Sequence, residues 1–381
     1  MSIQAFPVCV AAAATGGKGP AASAPVACGA QVRNPLVAIP VSVNPMQLPG
    51  YQPVHLQAMY GLTDVAKTAG VGQTVAVVSA FIDTTIESDL AVYRTTFGLP
   101  ACTVANGCLT IVKPNGNRPI PDHSWGIETA LDTEMVSAIC PLCKIVVVEA
   151  KSAQIQDLAE AQDQAAAQHP VAISNSYAVS EIDSDNGKPN NDLDKYSPHY
   201  RRSDVAVIAG AGDAGYNAVA NYPASIPEVV AVGGTSVRQN LDGTFAAPTV
   251  WSGTSSGCSV IFKKPKWQTD TGCKNRTVAD TAALADPQTG VMGYTSYNGG
   301  WNVYGGTSIA APQIAAMYAL AAATHGMKDP SELYEGAPGL YPISGSNGTC
   351  SPPYLCNAGA GYNGPAGVGV PYGISAFTIT H

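Results

Sequence analysis

The chain has 381 residues, room for a large core in one generous domain or two smaller ones. Hydrophobic residues make up 46% and charged residues only 12%, so the chain is globular rather than disordered, and no apolar run is long enough to span a membrane. A net charge of −8 without a basic patch argues against nucleic acid as a partner; so few ionisable groups suit a protein that tolerates acid, although an ordinary acidic secreted protein is the plainer reading of composition alone.

Residues 1–47 are rich in Ala, Pro, Gly and Val and almost uncharged, and read as an extended N-terminal arm ahead of one domain over 48–381. The opening MSIQAFPVCVAAAATGG lacks a charged n-region and a long apolar stretch, so it is a poor signal peptide. TVAVVSAF (74–81) predicts a strand, ESDLAVYRTTFGL (87–99) a helix, IETALDTEMVSAI (127–139) a helix and KIVVVEA (144–150) a strand. IQDLAEAQDQAAAQH (155–169) predicts a helix, and strands follow at 171–178, 204–212 and 228–237. The stretch 180–203 reads as a polar surface loop, 238–303 as looser strand-like pieces, and 308–324 as the last long helix. Continuously apolar strands alternating with helices give an α/β fold: a doubly wound, mostly parallel sheet with helices on both faces. Sites in such a sheet form at the carboxyl ends of its strands.

Ten cysteines fall into five close couples, Cys9/Cys28, Cys102/Cys108, Cys140/Cys143, Cys258/Cys273 and Cys350/Cys356. An even count at short range reads as local disulfides in an oxidising compartment. Cys140-Pro-Leu-Cys143 has no second CxxC to complete a zinc site and no thioredoxin-like surroundings, which favours structural pairing.

Three motifs carry chemistry. In WGIETALDTEM (125–135), Glu128 and Asp132 are four apart and share a helix face. Two carboxyls so placed repel unless one is protonated, which is how such pairs become acids and bases; the common alternative is a solvated acidic face. Glu134 points elsewhere and reads as structural. In AGAGDAGYN (209–217), Asp213 sits in a Gly-rich turn after an apolar strand, either as a simple turn former or as a neutral acid able to donate to an oxyanion. In YGGTSIAAP (304–312), Ser308 stands where a glycine turn becomes a helix, either as a cap or as a nucleophile beside free backbone N–H groups.

Together, in this order, the motifs resemble those of the sedolisins, the serine-carboxyl peptidases, which have a subtilisin-like fold. The matching pieces are Glu128-x-x-x-Asp132 followed by Ala138-Ile139-Cys140-Pro141, then Gly212-Asp213-Ala214-Gly215, PASIPEVVAVGGT (223–235) and Gly306-Thr307-Ser308 with Pro312; ADPQTGV (285–291) and PKWQ (265–268) look familial too. The paired cysteines look most like a bacterial secreted, kumamolisin-like branch. The resemblance implies that Ser308 attacks a peptide carbonyl and Glu128 moves its proton. It also implies that Asp132 orients Glu128, and that protonated Asp213 shares the oxyanion hole with the Ser308 N–H. Ser174, Asn175, Ser176 and Tyr177 are expected to line the substrate cleft. The implied protein is a secreted, monomeric, acid-active endopeptidase acting on peptides or unfolded proteins, without cofactor. Where the family binds calcium, Tyr341 and Asn363 replace the carboxylates, so that site is expected to be lost or weak. The family's long prodomain is absent, which fits either a mature form or a short-armed branch.

Two rivals stand beside this. A Ser-His-Asp subtilisin needs a positioned imidazole, yet none of His55, His123, His169, His199, His325 and His381 sits in a His-Gly-Thr turn. An inactive binding or cell-surface module would explain the altered calcium segments but not four intact catalytic positions.

Overall fold

A strand that is apolar at every position must be covered on both sides, and the centre of this protein is a sheet of such strands. The structure, a computed structural model, describes residues 5–7, 27–28, 31–33, 44–45, 48–113, 120–322, 330–335 and 339–378. Three short strands come first, β1 (Ala5–Pro7), β2 (Ala27–Cys28) and β3 (Gln31–Arg33). Then follow α1 (Pro53–Met59), β4 (Thr74–Ala80), α2 (Ile86–Thr96), β5 (Leu109–Val112), α3 (His123–Ile139), β6 (Lys144–Ala150) and α4 (Ile155–Ala166). The middle of the chain gives β7 (Ala172–Asn175), β8 (Tyr177–Ser180), β9 (Ala206–Gly210), β10 (Tyr216–Val219), β11 (Asn221–Tyr222) and β12 (Val229–Ser236). The last third gives β13 (Thr249–Val250), β14 (Ser256–Lys263), β15 (Asn275–Val278), β16 (Thr281–Leu284), β17 (Val291–Thr295), β18 (Gly300–Gly305) and α5 (Thr307–Ala321).

The main sheet runs β13-β12-β9-β7-β4-β6-β5, with β16 also paired to β12. Its pairings are parallel except at β13, which joins β12 antiparallel. Alternate residues of each strand feed two cores. Val75, Val77, Ile145, Val147 and Ile208 pack with α3 and α5, whereas Ala76, Val78, Val146, Val148 and Val207 pack with α4. Each buried Val, Ile or Leu contributes roughly 1.5–3 kcal/mol. All of α5 is buried, as a helix apolar on every side must be.

The expected doubly wound α/β sheet is the observed one, and the element boundaries differ in instructive ways. Helix α3 starts at His123, before the predicted 127, because Asp122 caps it by accepting the N–H groups of Ser124 and Trp125. The predicted strand 171–178 is divided at Ser176 into β7 and β8. The 180–203 loop is not wholly a surface feature: Glu181 is buried, its carboxylate accepting the N–H of Val260 and the hydroxyl of Ser259. The described pieces of the N-terminal arm are woven into the domain, β3 pairing with β1 and β18 and β2 with β8. Disulfides join Cys102–Cys108, Cys140–Cys143, Cys258–Cys273 and Cys350–Cys356; the expected Cys9–Cys28 pair lies outside the described residues.

Candidate active site

Helix α3 packs against α5 on one face of the sheet, and this contact assembles the site. Glu128 and Asp132, one turn apart on α3, are both buried to 1% exposure, so the solvated-face alternative fails for them. Glu134 is buried as well, but both of its oxygens accept the N–H of Tyr294, a structural use. Thr129, next to Glu128, shares a 2.6 Å hydrogen bond with Ser79 Oγ at the end of β4.

Ser308 is the second residue of α5. The helix starts from Gly306 at φ 113, a left-handed conformation that favours glycine. Pro312 lies four residues after Ser308 and has no N–H to return to it, so the Ser308 carbonyl needs another donor. Ser176 supplies it: its Oγ lies 2.9 Å from Ser308 O and 2.5 Å from Asp132 Oδ1. A hydroxyl has a single proton, so if Ser176 donates to the carbonyl, the carboxyl must donate to Ser176. Asp132 is suited to that, because burial holds its pKa well above the usual carboxylate range, against the opposing pull of Ser176. Ser308 Oγ itself is buried and has no hydrogen-bond partner among the described residues. A buried hydroxyl without a partner is costly.

Asp213 follows β9 in the turn at Gly212, whose φ is 107 and where an added Cβ would lie 2.4 Å from Asn221 Nδ2. Its Oδ1 accepts both the N–H and the hydroxyl of Thr307, each at 2.8 Å. Thr307 Oγ1 in turn accepts the Gly212 N–H at 3.0 Å. The other oxygen, Oδ2, is buried without a partner. Burial raises the pKa of Asp213 to about 7, while the Thr307 bonds lower it. In acid the carboxyl is therefore neutral, with Oδ1 accepting and Oδ2 free to carry and donate the proton. A cavity of about 630 Å³ opens beside it, walled by Asp213, Trp251, Asp286 and Asn347.

A family model, the subtilase family, matches residues 114–335. The chain belongs to the subtilase family. This subtilase is 31% identical over 169 residues to sedolisin of Pseudomonas sp. (strain 101), a match covering 39% of the chain and 28% of that relative. It thus spans less than a third of the length of that curated relative. Its fold matches that of Pseudomonas sedolisin complexed with two molecules of pseudo-iodotyrostatin, with a TM-score of 0.72, 23% identity and coverage of 85% of this chain and 96% of that one. A lanthipeptide protease matches with a TM-score of 0.54 and 14% identity, over 90% of this chain and 98% of that one. The resemblance to sedolisins and the subtilisin-like α/β fold read from the motifs are borne out by these likenesses.

In this subtilase the expected cleft residues Ser174, Asn175, Ser176 and Tyr177 are all buried. Asn175 donates to Ile208 O, and the Tyr177 hydroxyl meets Asn175 Oδ1 and Tyr200. Their side chains therefore serve the interior, and what this stretch can offer a substrate is its backbone. Part of that edge is already used, since Ala27 and Cys28 pair with Ala178 and Tyr177, while Val32 and Gln31 pair with Tyr304 and Gly305 just ahead of Ser308. The expected calcium positions do not fit the ion. Tyr341 is an exposed phenol, and Asn363 spends its side chain on Ala366 N, Gly367 O and Gly361 O. Among the described residues no group of three or more His, Cys, Asp or Glu is disposed to hold a metal ion. The sequence reading missed the bridging use of Ser176 and the Thr307 grip on Asp213. Both partners stood inside noticed motifs, and a proline four residues after Ser308 was the available signal.

Proposed function

We propose that this subtilase is a sedolisin-type serine-carboxyl endopeptidase, active in acid. The observation that supports it best is the Ser176 hydroxyl joining the Asp132 carboxyl to the Ser308 backbone, one helical turn from Glu128. The described histidines are occupied elsewhere: His55 accepts from Gln52 N, His199 pairs with Asp163, His123 packs on Tyr297 and His169 is exposed. In this reading Ser308 Oγ adds to the scissile carbonyl and Glu128 takes its proton. Asp132 steadies Glu128, and the developing oxyanion rests on the Ser308 N–H and the Asp213 proton. Collapse expels the amine, which takes the proton from Glu128, and water releases the acyl group from Ser308. The substrate class is a peptide or unfolded protein bound in extended form. Secretion, a monomeric state and independence of cofactors belong to the same proposal, with no nucleic acid or membrane as partner. Digestion of denatured haemoglobin in acid, followed for the wild type and Ser308→Ala, tests it. Cleavage by the first and none by the second is expected; no cleavage by a folded wild type across acid conditions would leave an inactive module.

A further inference from the structure

A second group of acids lies outside this machinery. At the carboxyl ends of β4, β5 and β6, beside the start of α2, is a cavity of about 590 Å³ walled by Asp83, Thr84, Glu87, Ile111, Lys113 and Glu149. Asp83 is 5% exposed and Glu149 is 1% exposed. Asp83 Oδ1 accepts the N–H and hydroxyl of Thr85, and Glu149 Oε1 accepts the Asp83 N–H at 3.0 Å. Asp83 Oδ2 and Glu149 Oε2 are buried and have no hydrogen-bond partner among the described residues. Two wall residues that each keep one buried, unmatched carboxyl oxygen carry a large desolvation cost.

Among the described residues the surrounding charges are few. Asp89 is spent on the N–H and hydroxyl of Ser296, and Glu134 on Tyr294, so these add field but no free acceptor facing the cavity. Glu87 accepts the Val104 N–H at the rim. Among the described residues Lys113 is the cation of the wall; it is exposed and only partly offsets what burial does to Glu149. Two chains of contacts lead from the cavity wall to helix α3. Glu149 is in register with Ser79, whose hydroxyl meets Thr129 beside Glu128. Thr84 bonds the Tyr297 hydroxyl, and the Tyr297 ring lies so close to Gly126 that a Cβ there would sit 2.6 Å from it.

We propose that this cavity is a subsite for a guanidinium or ammonium group, the side chain of a basic residue in a bound peptide, held between Asp83 Oδ2 and Glu149 Oε2. A planar guanidinium presents several donors and can satisfy two carboxylates at once. A metal ion is a poorer occupant, since no group of three or more such ligands is assembled among the described residues. Burial, reinforced by Asp89 and Glu149, raises the pKa of Asp83 to about 7, and burial raises that of Glu149. The site is therefore neutral and unreceptive in strong acid and gains affinity for a cation as pH rises toward neutrality.

That a peptide carries the cation rests on the peptidase reading; the affinity of the cavity for the cation does not. The test uses the Ser308→Ala chain, which leaves bound peptide uncut. Peptides with one arginine walked along the sequence are compared with twins carrying citrulline, the neutral isostere. At one position arginine should bind about tenfold tighter than citrulline near pH 7 and lose that advantage near pH 4. Glu149→Gln should abolish the advantage, and Lys113→Ala, at an exposed position, should enlarge it. No position with an arginine advantage, an advantage that survives Glu149→Gln in a chain with wild-type circular dichroism, or no gain in Lys113→Ala would overturn the assignment. Acetyl-arginine amide, titrated into the wild-type chain by NMR, separates this from the peptidase reading. Binding that Glu149→Gln removes supports the cavity even if nothing is cleaved, and no binding refutes it.

Discussion

Raising the pH should loosen this protein, and Asp213 allows the size of the effect to be worked out. Its pKa is 3.8 in the ordinary state and about 7 in the fold, with burial as the main cause. Between those values the folded chain binds a proton that the unfolded chain has released, so unfolding free energy falls as pH rises. The contribution is fully present below about pH 4 and is lost as pH passes through about 7. About three pKa units at 1.36 kcal/mol each is roughly 4 kcal/mol, a large part of a typical total stability of about 5–15 kcal/mol. Asp83, raised to about 7 chiefly by burial, acts in the same direction. Asp213→Asn replaces the titrating group with a neutral isostere whose oxygen can still accept from Thr307. Urea unfolding at several pH values, on the wild type and this variant, measures the difference. The wild type should lose stability from pH 4 to 8, and the variant should lose about 4 kcal/mol less. Equal slopes for the two, or a wild type indifferent to pH, would refute the claim that Asp213 is held neutral by its surroundings.

Ser176→Ala removes the donor that serves Ser308 O and the partner of Asp132; it should cost about 2 kcal/mol of stability and about tenfold in kcat, with KM little changed and the acid limb of the pH profile displaced. Because β2 pairs along β8 and β3 along β18 just ahead of Ser308, a chain lacking residues 1–33 should bind a peptide inhibitor more tightly than the full chain, as read by calorimetry; equal binding would mean these strands do not compete with a substrate. Excess chelator should leave the thermal midpoint unchanged, since Tyr341 and Asn363 do not fit calcium; a drop restored by added calcium would show a site built from other oxygens.

The sheet was legible in the sequence because its strands are apolar on both faces. KIVVVEA reads as a strand at 144–150 without ambiguity, and β6 has those limits. The helix face shared by Glu128 and Asp132 follows from their spacing alone. What escaped depends on contacts between distant segments. VAISNSYA looks like one strand, and nothing local reveals that Ser176 interrupts it to reach a carbonyl released by Pro312. Glu149 passed unnoticed at the end of an apolar strand, and it meets Asp83 only because β4 and β6 are parallel neighbours. The start of α3 at His123 is set by the cap at Asp122, which lies outside the apolar spacing that marks the helix in the sequence.

The central claim is that Ser308 is activated by carboxyl groups rather than by an imidazole. The most direct measurement is the pH dependence of kcat/KM for the wild type beside Glu128→Gln, on one peptide. An acid optimum, with a loss of about a thousandfold or more in the variant at every pH, is the predicted result. An optimum above neutrality, with Glu128→Gln close to the wild type, would contradict it.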